Sequence, residues 1–104
     1  MEAIYERPLD YDLEHEGDDE DVGFYVRLVQ RLKPRRILEL ASGSGRVTIP
    51  LARATARTGG IIIGLERADA MREEAERKRD ALDERARACV SFVSGDMRTW
   101  IAAE

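Results

Sequence analysis

The sequence has 104 residues, of which 43% are hydrophobic and 37% are charged. This length allows one domain with a modest core, and no apolar run approaches the roughly 20 residues that a membrane-spanning helix requires. The chain shows no secretory signal pattern and contains one cysteine, Cys89. We therefore expect no internal disulfide and a cytoplasmic protein.

Charge is divided unevenly along the chain, whose formal net charge is −4. Residues 1–21 carry ten acidic groups against Arg7 alone, whereas residues 22–104 carry a net charge of +5. We expect an acidic N-terminal segment over 1–21 and a single domain over 22–104. The acidic residues lack the spacing of a calcium loop and His15 is the only histidine, so no metal site is predicted. The basic excess is too small to argue for nucleic acid.

Segments with helical and strand-like patterns alternate through the domain. Asp21 is a candidate N-cap for a helix that runs from Val22 to about Lys33 and is ended by Pro34. Another candidate cap, Asp69, precedes a long charged helix. The remaining predicted elements are strands near 36–40, 61–65 and 89–93 and helices near 46–57 and 70–87.

The three predicted strands form one parallel sheet. Continuous apolar runs such as Ile61–Ile63 favour strands covered by helices on both faces. Right-handed crossovers then order the strands 3-2-1. The predicted architecture is half of a Rossmann-like doubly wound α/β fold, three parallel strands with flanking helices, as if the domain were truncated after its first half. The first strand then lies at an edge of the sheet.

Each predicted strand ends in an acidic group at the same edge of the sheet. These groups are Glu39, which precedes a loop with Gly43 and Gly45, then Glu66, then Asp96. Ligands of open α/β sheets bind at this edge, so the three carboxylates predict one crevice.

The residue types indicate the ligand. Glu39 suits an ammonium group and Glu66 a ribose, while Asp96 can accept from an exocyclic amine such as adenine N6. The amides around Gly43–Gly45 can approach a carboxylate. S-adenosylmethionine carries all of these groups.

These motifs resemble those of the class I S-adenosylmethionine-dependent methyltransferases, especially small-molecule and N-methyltransferase-like members. Residues 37–46 read ILELASGSGR, similar to the family's first motif L-E-L-A-x-G-x-G-R. The second motif, Gly64-Leu65-Glu66, and the third, Gly95-Asp96-Met97, follow in the family's order. The resemblance covers roughly residues 9–100.

The resemblance implies a contact with the cofactor for each matching position. Glu39 and the following loop hold the methionine part, and Glu66 holds the ribose. Met71 contacts one face of the adenine, and Asp96 with Met97 contacts the adenine itself. The N-terminal Tyr11 is similar to part of a segment that folds over the cofactor. The loop positions are Ala41, Ser42, Gly43 and Gly45.

A complete member of such a family resembles this half followed by four further strands, which supply the groups that bind the methyl acceptor. The resemblance therefore implies the S-adenosylmethionine-binding portion of a methyltransferase, with S-adenosylhomocysteine as product and a small molecule as acceptor. The sequence assigns no catalytic residue. The exposed edge at Arg36–Leu40 predicts a homo-oligomer, such as a dimer of half-sheets, or a complementing chain.

Two other interpretations remain open at the level of sequence. One is half of a nicotinamide- or flavin-binding Rossmann domain, although Thr48 stands where G-x-G-x-x-G has its third glycine. The other is a non-catalytic structural or interaction module that keeps the half-fold without a ligand and associates through its strand edge.

Overall fold

The computed structural model of the chain describes residues 19–96, which form helices and strands in alternation. Two of the predicted site residues, Tyr11 and Met97, lie outside the described residues. None of the helices within 19–96 is both long and apolar enough to cross a membrane. The elements are α1 (Asp19–Leu32), β1 (Arg36–Leu40), α2 (Thr48–Thr58), β2 (Ile61–Leu65), α3 (Asp69–Asp80), α4 (Glu84–Cys89) and β3 (Val90–Val93).

The strands form one parallel sheet in the order β1-β2-β3, which confirms the predicted order 3-2-1. The register aligns Ile37 with Ile62 and Ile62 with Val90, so these side chains share one face. Ile62 is fully buried and Val90 is nearly so. The side chains of this face belong to one hydrophobic core with buried apolar side chains of α1, α2 and α4, which include Val29, Ile49, Leu51, Ala52 and Ala86.

The opposite face of the sheet is open beside β1, so the predicted cover by helices on both faces is wrong for residues 19–96. Leu38, Leu40 and Ile61 are 44%, 51% and 44% exposed. Two right-handed crossovers that proceed in one direction along a sheet place their helices on the same face. The sheet order has this form, and the continuous apolar runs therefore do not reflect two covered faces.

The helix beginnings differ from the prediction in two places. The described part of α1 starts at Asp19, so Asp21 lies within the helix rather than before it, although its carboxylate accepts a hydrogen bond from the Val22 amide at 2.8 Å. Asp69 is the first residue of α3 and the N-cap is Ala68. Neither aspartate is the N-cap that the sequence pattern predicts.

The helix predicted over 70–87 is interrupted after Asp80. Asp83 caps the second piece, α4, by accepting a hydrogen bond from the Ala86 amide at 2.9 Å. Cys89 ends α4 instead of beginning the third strand. Its thiol donates to the carbonyl oxygen of Ala52 at 3.3 Å, and burial raises its pKa.

Gly64 lies where β2, β3 and the loop after β1 come closest together. A Cβ atom at this position would be 2.8 Å from Cδ1 of Phe92 and 2.9 Å from Cβ of Ser42. Glycine therefore lets the loop lie directly on the sheet.

Replacement of this glycine tests the close approach. Gly64→Ala is expected to lower the free energy of unfolding by about 1–3 kcal/mol, because the added methyl group displaces the Phe92 ring and the loop. Gly23→Ala in α1 is the control, since its Cβ meets only the end of the Arg27 side chain, at 3.1 Å. It should raise the free energy of unfolding by up to about 1 kcal/mol through helix propensity. Urea denaturation that finds both variants equally stable would contradict this packing.

Candidate functional site

Backbone hydrogen bonds join the loops that follow the three strands. The Ser42 amide donates to the carbonyl oxygen of Leu65 at 2.9 Å, and the Glu66 amide donates to that of Val93 at 3.0 Å. An ion pair of 3.9 Å between Arg67 and Asp96 adds a contact between the second and third loops. The structure therefore brings the carboxyl ends of the strands to one edge, as the order of strands predicts.

The Glu66 carboxylate connects two of these loops through side-chain hydrogen bonds. It is 7% exposed, its Oε1 accepts from the Gly43 amide at 2.8 Å, and its Oε2 accepts from the Ala68 amide at 3.0 Å. The sequence predicts a ligand contact for Glu66 and gives no sign of these bonds. Each carboxylate oxygen can accept a second hydrogen bond, so the predicted contact with a ribose hydroxyl remains chemically available.

Two amides of the glycine loop, those of Gly43 and Gly45, already donate hydrogen bonds within the protein. Ala41, Gly43 and Gly45 have φ angles of +54°, +60° and +85°, a conformation that glycine adopts without strain and alanine does not. The Gly45 amide donates to the carbonyl oxygen of Ser42 at 3.2 Å, and the Gly43 amide is bound to Glu66. In this conformation the Gly43 amide is occupied by a tertiary bond and the Gly45 amide by a bond within the loop. The expected approach of the loop amides to a ligand carboxylate stays a prediction.

The absence of a side chain at Gly45 also permits close packing of the loop against two helices. A Cβ atom at this position would lie 3.3 Å from Cβ of Ala75 on α3 and 3.4 Å from Cγ1 of Ile49 on α2. The loop thus holds α2 and α3 close together at the edge where the strands end.

Ser42 places a buried hydroxyl group in the same loop. Its side chain is 6% exposed, and its Oγ has no hydrogen-bond partner among residues 19–96. A buried hydroxyl without a partner costs about 1–3 kcal/mol. A partner from a ligand, a water molecule or another part of the chain would remove that cost.

Glu39 combines partial burial with an available oxygen. Its Oε1 accepts a hydrogen bond from the Thr48 hydroxyl, and Oε2 accepts none from the described residues. Burial raises the pKa of the Glu39 carboxyl, while the Thr48 hydrogen bond and the Arg46 charge act in the opposite direction. An ammonium group at Oε2 would compensate the buried negative charge.

Thr48 also bears on the dinucleotide interpretation. It stands where the dinucleotide motif has its third glycine, and here its hydroxyl binds a carboxylate. A glycine could not make this bond. The position therefore supports the Glu39 carboxylate rather than the close approach of a pyrophosphate.

The structure reveals two contacts that the sequence analysis missed. Arg46, which closes the glycine motif, makes a bidentate pair with Asp21, with Nη2–Oδ2 and Nη1–Oδ1 distances of 2.9 and 3.3 Å. Lys78 on α3 donates to the hydroxyl of Ser44 at 3.4 Å. Both contacts join residues that are far apart in the chain, so local sequence patterns do not predict them. The arginine at the end of the glycine motif was the available sign of a charged contact there.

The remaining predicted contacts stay predictions. Met71 is fully buried on α3, so its side chain lies beneath the surface in this conformation. Asp96 is partly exposed beyond β3 and faces Arg67. Nothing is described for Met97 or Tyr11.

The desolvated charge of Glu39 gives a stability prediction. Glu39→Gln is expected to raise the free energy of unfolding at pH 7 by about 1 kcal/mol, because it removes a partly buried charge and keeps an acceptor for Thr48. The folded-state pKa of Glu39 lies above its ordinary value of 4.5, so the wild-type chain loses stability as the pH rises through that raised pKa. The advantage of the variant should disappear below pH 4.5.

Denaturation of both proteins across this pH range measures the effect. A variant that is less stable than the wild type at pH 7 would contradict the account of Glu39.

One family profile matches most of the chain. It describes protein-L-isoaspartate(D-aspartate) O-methyltransferase (PCMT) and matches residues 19–103. A search of curated protein sequences found no match.

Three solved structures, two of them of methyltransferases, share the fold. The glycopeptide N-methyltransferase MtfA, crystallised with S-adenosyl-L-methionine, is 25% identical, has a TM-score of 0.59, and matches over 72% of this chain and 32% of its own. The CcbJ methyltransferase from Streptomyces caelestis is 30% identical, with a TM-score of 0.56, over 67% of this chain and 26% of its own. YjhP from E. coli is 25% identical, with a TM-score of 0.63, over 82% of this chain and 33% of its own.

The comparisons confirm the resemblance to S-adenosylmethionine-dependent methyltransferases and the half-Rossmann architecture. The predicted cofactor is confirmed at the level of the family, which depends on S-adenosylmethionine. The chain spans about a third of the length of the structures it matches. The chain belongs to the protein-L-isoaspartate(D-aspartate) O-methyltransferase family.

Proposed function

We propose that the chain binds S-adenosylmethionine at the carboxyl edge of its sheet, as the cofactor-binding portion of a methyltransferase. The observation that carries this proposal is the joining of the three loops, in which Glu66 binds the Gly43 amide at 2.8 Å and its own amide binds Val93. Glu39 lies near the end of β1, and Glu66 and Asp96 follow β2 and β3, so the three carboxylates belong to the same edge of the sheet. A cationic ligand with a ribose and an amino-bearing base suits this charge.

Each carboxylate has a role in the proposed site. Glu39 holds the ammonium group through its available Oε2, and Glu66 accepts from the ribose hydroxyls while it keeps the Gly43 amide. Asp96 accepts from the adenine amine. The loop from Ala41 to Gly45 contributes close backbone approach to the methionine part. The family resemblance implies that Met71 and Met97 contact the adenine. It also implies that Tyr11 belongs to a segment that folds over the cofactor.

Methyl transfer needs an acceptor held in line with the sulfonium methyl that the cofactor supplies. The chain spans about a third of its matched relatives, so the acceptor site and turnover are part of the proposal. By their names, one relative modifies a protein isoaspartate and another a glycopeptide amine. Such different acceptors support the view that a common cofactor-binding portion is combined with different acceptor-binding portions. We expect a small-molecule acceptor for this chain.

The alternative is a module that keeps the half-fold without a ligand. Two features favour a ligand: the partly buried Glu39 has an oxygen without a described donor, and the Ser42 hydroxyl is buried without a described partner. Both arrangements cost free energy that a purely structural module has no reason to retain.

Calorimetry with S-adenosylhomocysteine separates these functions. The wild-type chain is expected to bind one equivalent, and Glu39→Gln to weaken binding by about tenfold or more, because it removes the charge opposite the ammonium group. Glu73→Gln removes the same charge from an exposed position on α3 and should change affinity by less than about twofold. A folded wild-type chain with no affinity for this ligand would support the structural module.

We also propose that the edge of β1 pairs with a further strand, from a second copy of the chain or from a complementing chain. Among residues 19–96, β1 pairs with β2 alone, so its outer backbone groups are available. Leu38 and Leu40 are 44% and 51% exposed on the open face beside that edge. An added strand would pair the backbone and bring apolar cover to these side chains.

Light scattering tests the self-associated form. The chain is expected to elute above its monomer mass of 11.8 kDa, and Leu40→Lys to shift it to the monomer, because a charge at an interface is costly to desolvate. Leu32→Lys is the control, as Leu32 is 64% exposed at the end of α1. A wild-type monomer at high concentration would rule out pairing with a second copy.

A further inference from the structure

The ion pair between Asp21 and Arg46 connects α1 to the end of the glycine loop. Both guanidinium Nη atoms bind the carboxylate, at 2.9 and 3.3 Å. The Arg46 side chain is 19% exposed and the Asp21 side chain is 42% exposed. The hydrogen bond from Arg46 lowers the pKa of Asp21, so the pair is fully charged at neutral pH.

The same guanidinium acts on a second carboxylate. Its charge lowers the pKa of Glu39, against the larger opposite effect of burial. Arg46 therefore lies within electrostatic reach of both Asp21 and Glu39, but its bidentate hydrogen bonds go to Asp21. A guanidinium stays protonated in proteins and prefers two parallel bonds to one carboxylate.

The bonding of Arg46 to Asp21 rather than to Glu39 matters for the second oxygen of Glu39. One Glu39 oxygen is bound by Thr48, and the other accepts no bond from the described residues. If Arg46 turned to that second oxygen, it would occupy the position that an ammonium group needs. A ligand amine would then compete with a cation fixed to the protein.

We propose that Asp21 is a positioning residue that holds Arg46 away from Glu39 and so keeps the Glu39 carboxylate available to the amino group of the ligand. This inference rests on the proposed function. It gives α1 a role in recognising the amino-acid end of the cofactor, although α1 carries none of the three sequence motifs.

A purely structural role for the pair makes a different prediction. If Asp21 only fastens α1 to the glycine loop, its loss should weaken every ligand of the crevice to the same extent. If it withholds Arg46 from Glu39, the loss should affect ligands with an amino group and spare those without one.

Two ligands and two single variants separate these roles. S-adenosylhomocysteine carries the amino-acid end, and 5′-methylthioadenosine keeps the adenosine and sulfur but lacks that end. Asp21→Asn is expected to weaken S-adenosylhomocysteine by about tenfold, because a fixed cation now competes for Glu39, and to change methylthioadenosine by less than about twofold. Glu20→Gln, which removes one charge from the exposed neighbouring position, should leave both affinities within about twofold of the wild type.

A double variant completes the test. Asp21→Asn with Arg46→Gln removes the competing cation together with its partner, and should restore S-adenosylhomocysteine affinity to within about threefold of the wild type. The double variant also tests the proposal if Asp21→Asn alone does not fold. A double variant that folds and binds S-adenosylhomocysteine supports the proposal, and one that does not bind it overturns the proposal.

The results are read by calorimetry on chains whose folding is checked by circular dichroism. Equal weakening of both ligands by Asp21→Asn, or no weakening of either, would overturn the inference. A wild-type chain that binds neither ligand would instead overturn the proposed function, so the two failures are distinguishable.

Discussion

The bonds that the buried Glu66 carboxylate makes to two backbone amides fix the geometry of the candidate site. They hold the Gly43 amide at 2.8 Å and the Ala68 amide at 3.0 Å, and so tie the loop after β1 to the loop after β2. Charge-assisted bonds of this kind are about twice as strong as neutral ones. Because both loops depend on one side chain, a ligand that binds Glu66 also acts on the shape of the glycine loop.

The electrostatics of the edge follow from this arrangement. The Glu39 carboxyl is partly buried and the Glu66 carboxyl is buried, and the described cation that lowers the pKa of Glu39 is the Arg46 guanidinium, which binds Asp21. Such a site favours a ligand that carries positive charge at one end and hydroxyl donors at the other. The strained Ala41 and the Ser42 hydroxyl, which has no partner among residues 19–96, lie in the same loop. Local strain and unsatisfied polar groups of this kind typically mark a functional site.

Much of the fold follows from local pattern. The strands and their parallel order could be predicted because apolar runs, glycines and crossover handedness act over short distances. The interruption before α4 was missed because the stretch after Asp80 holds no glycine or proline, and Asp83 as a cap was the available signal.

The rest depends on contacts between distant residues. The sequence does not reveal that the Gly43 amide binds Glu66 or that Asp21 binds Arg46, since these pairs are separated by 23 and 25 positions. The open face beside Leu38 and Leu40 was also missed, because an apolar run does not show which face is covered. The family resemblance implies the ligand, and the structure adds the bonds that shape the candidate site.

The most direct test of the central claim is a nuclear magnetic resonance titration of the labelled chain with S-adenosylhomocysteine, followed through the backbone amides. The account predicts that the largest shifts occur in the loops after β1, β2 and β3, at Gly43, Glu66 and Asp96 and their neighbours. Residues near the opposite edge of the sheet, such as Arg57 at the end of α2 and Arg85 in α4, should not change. Shifts confined to that opposite edge, or no shifts at saturating ligand, would contradict it.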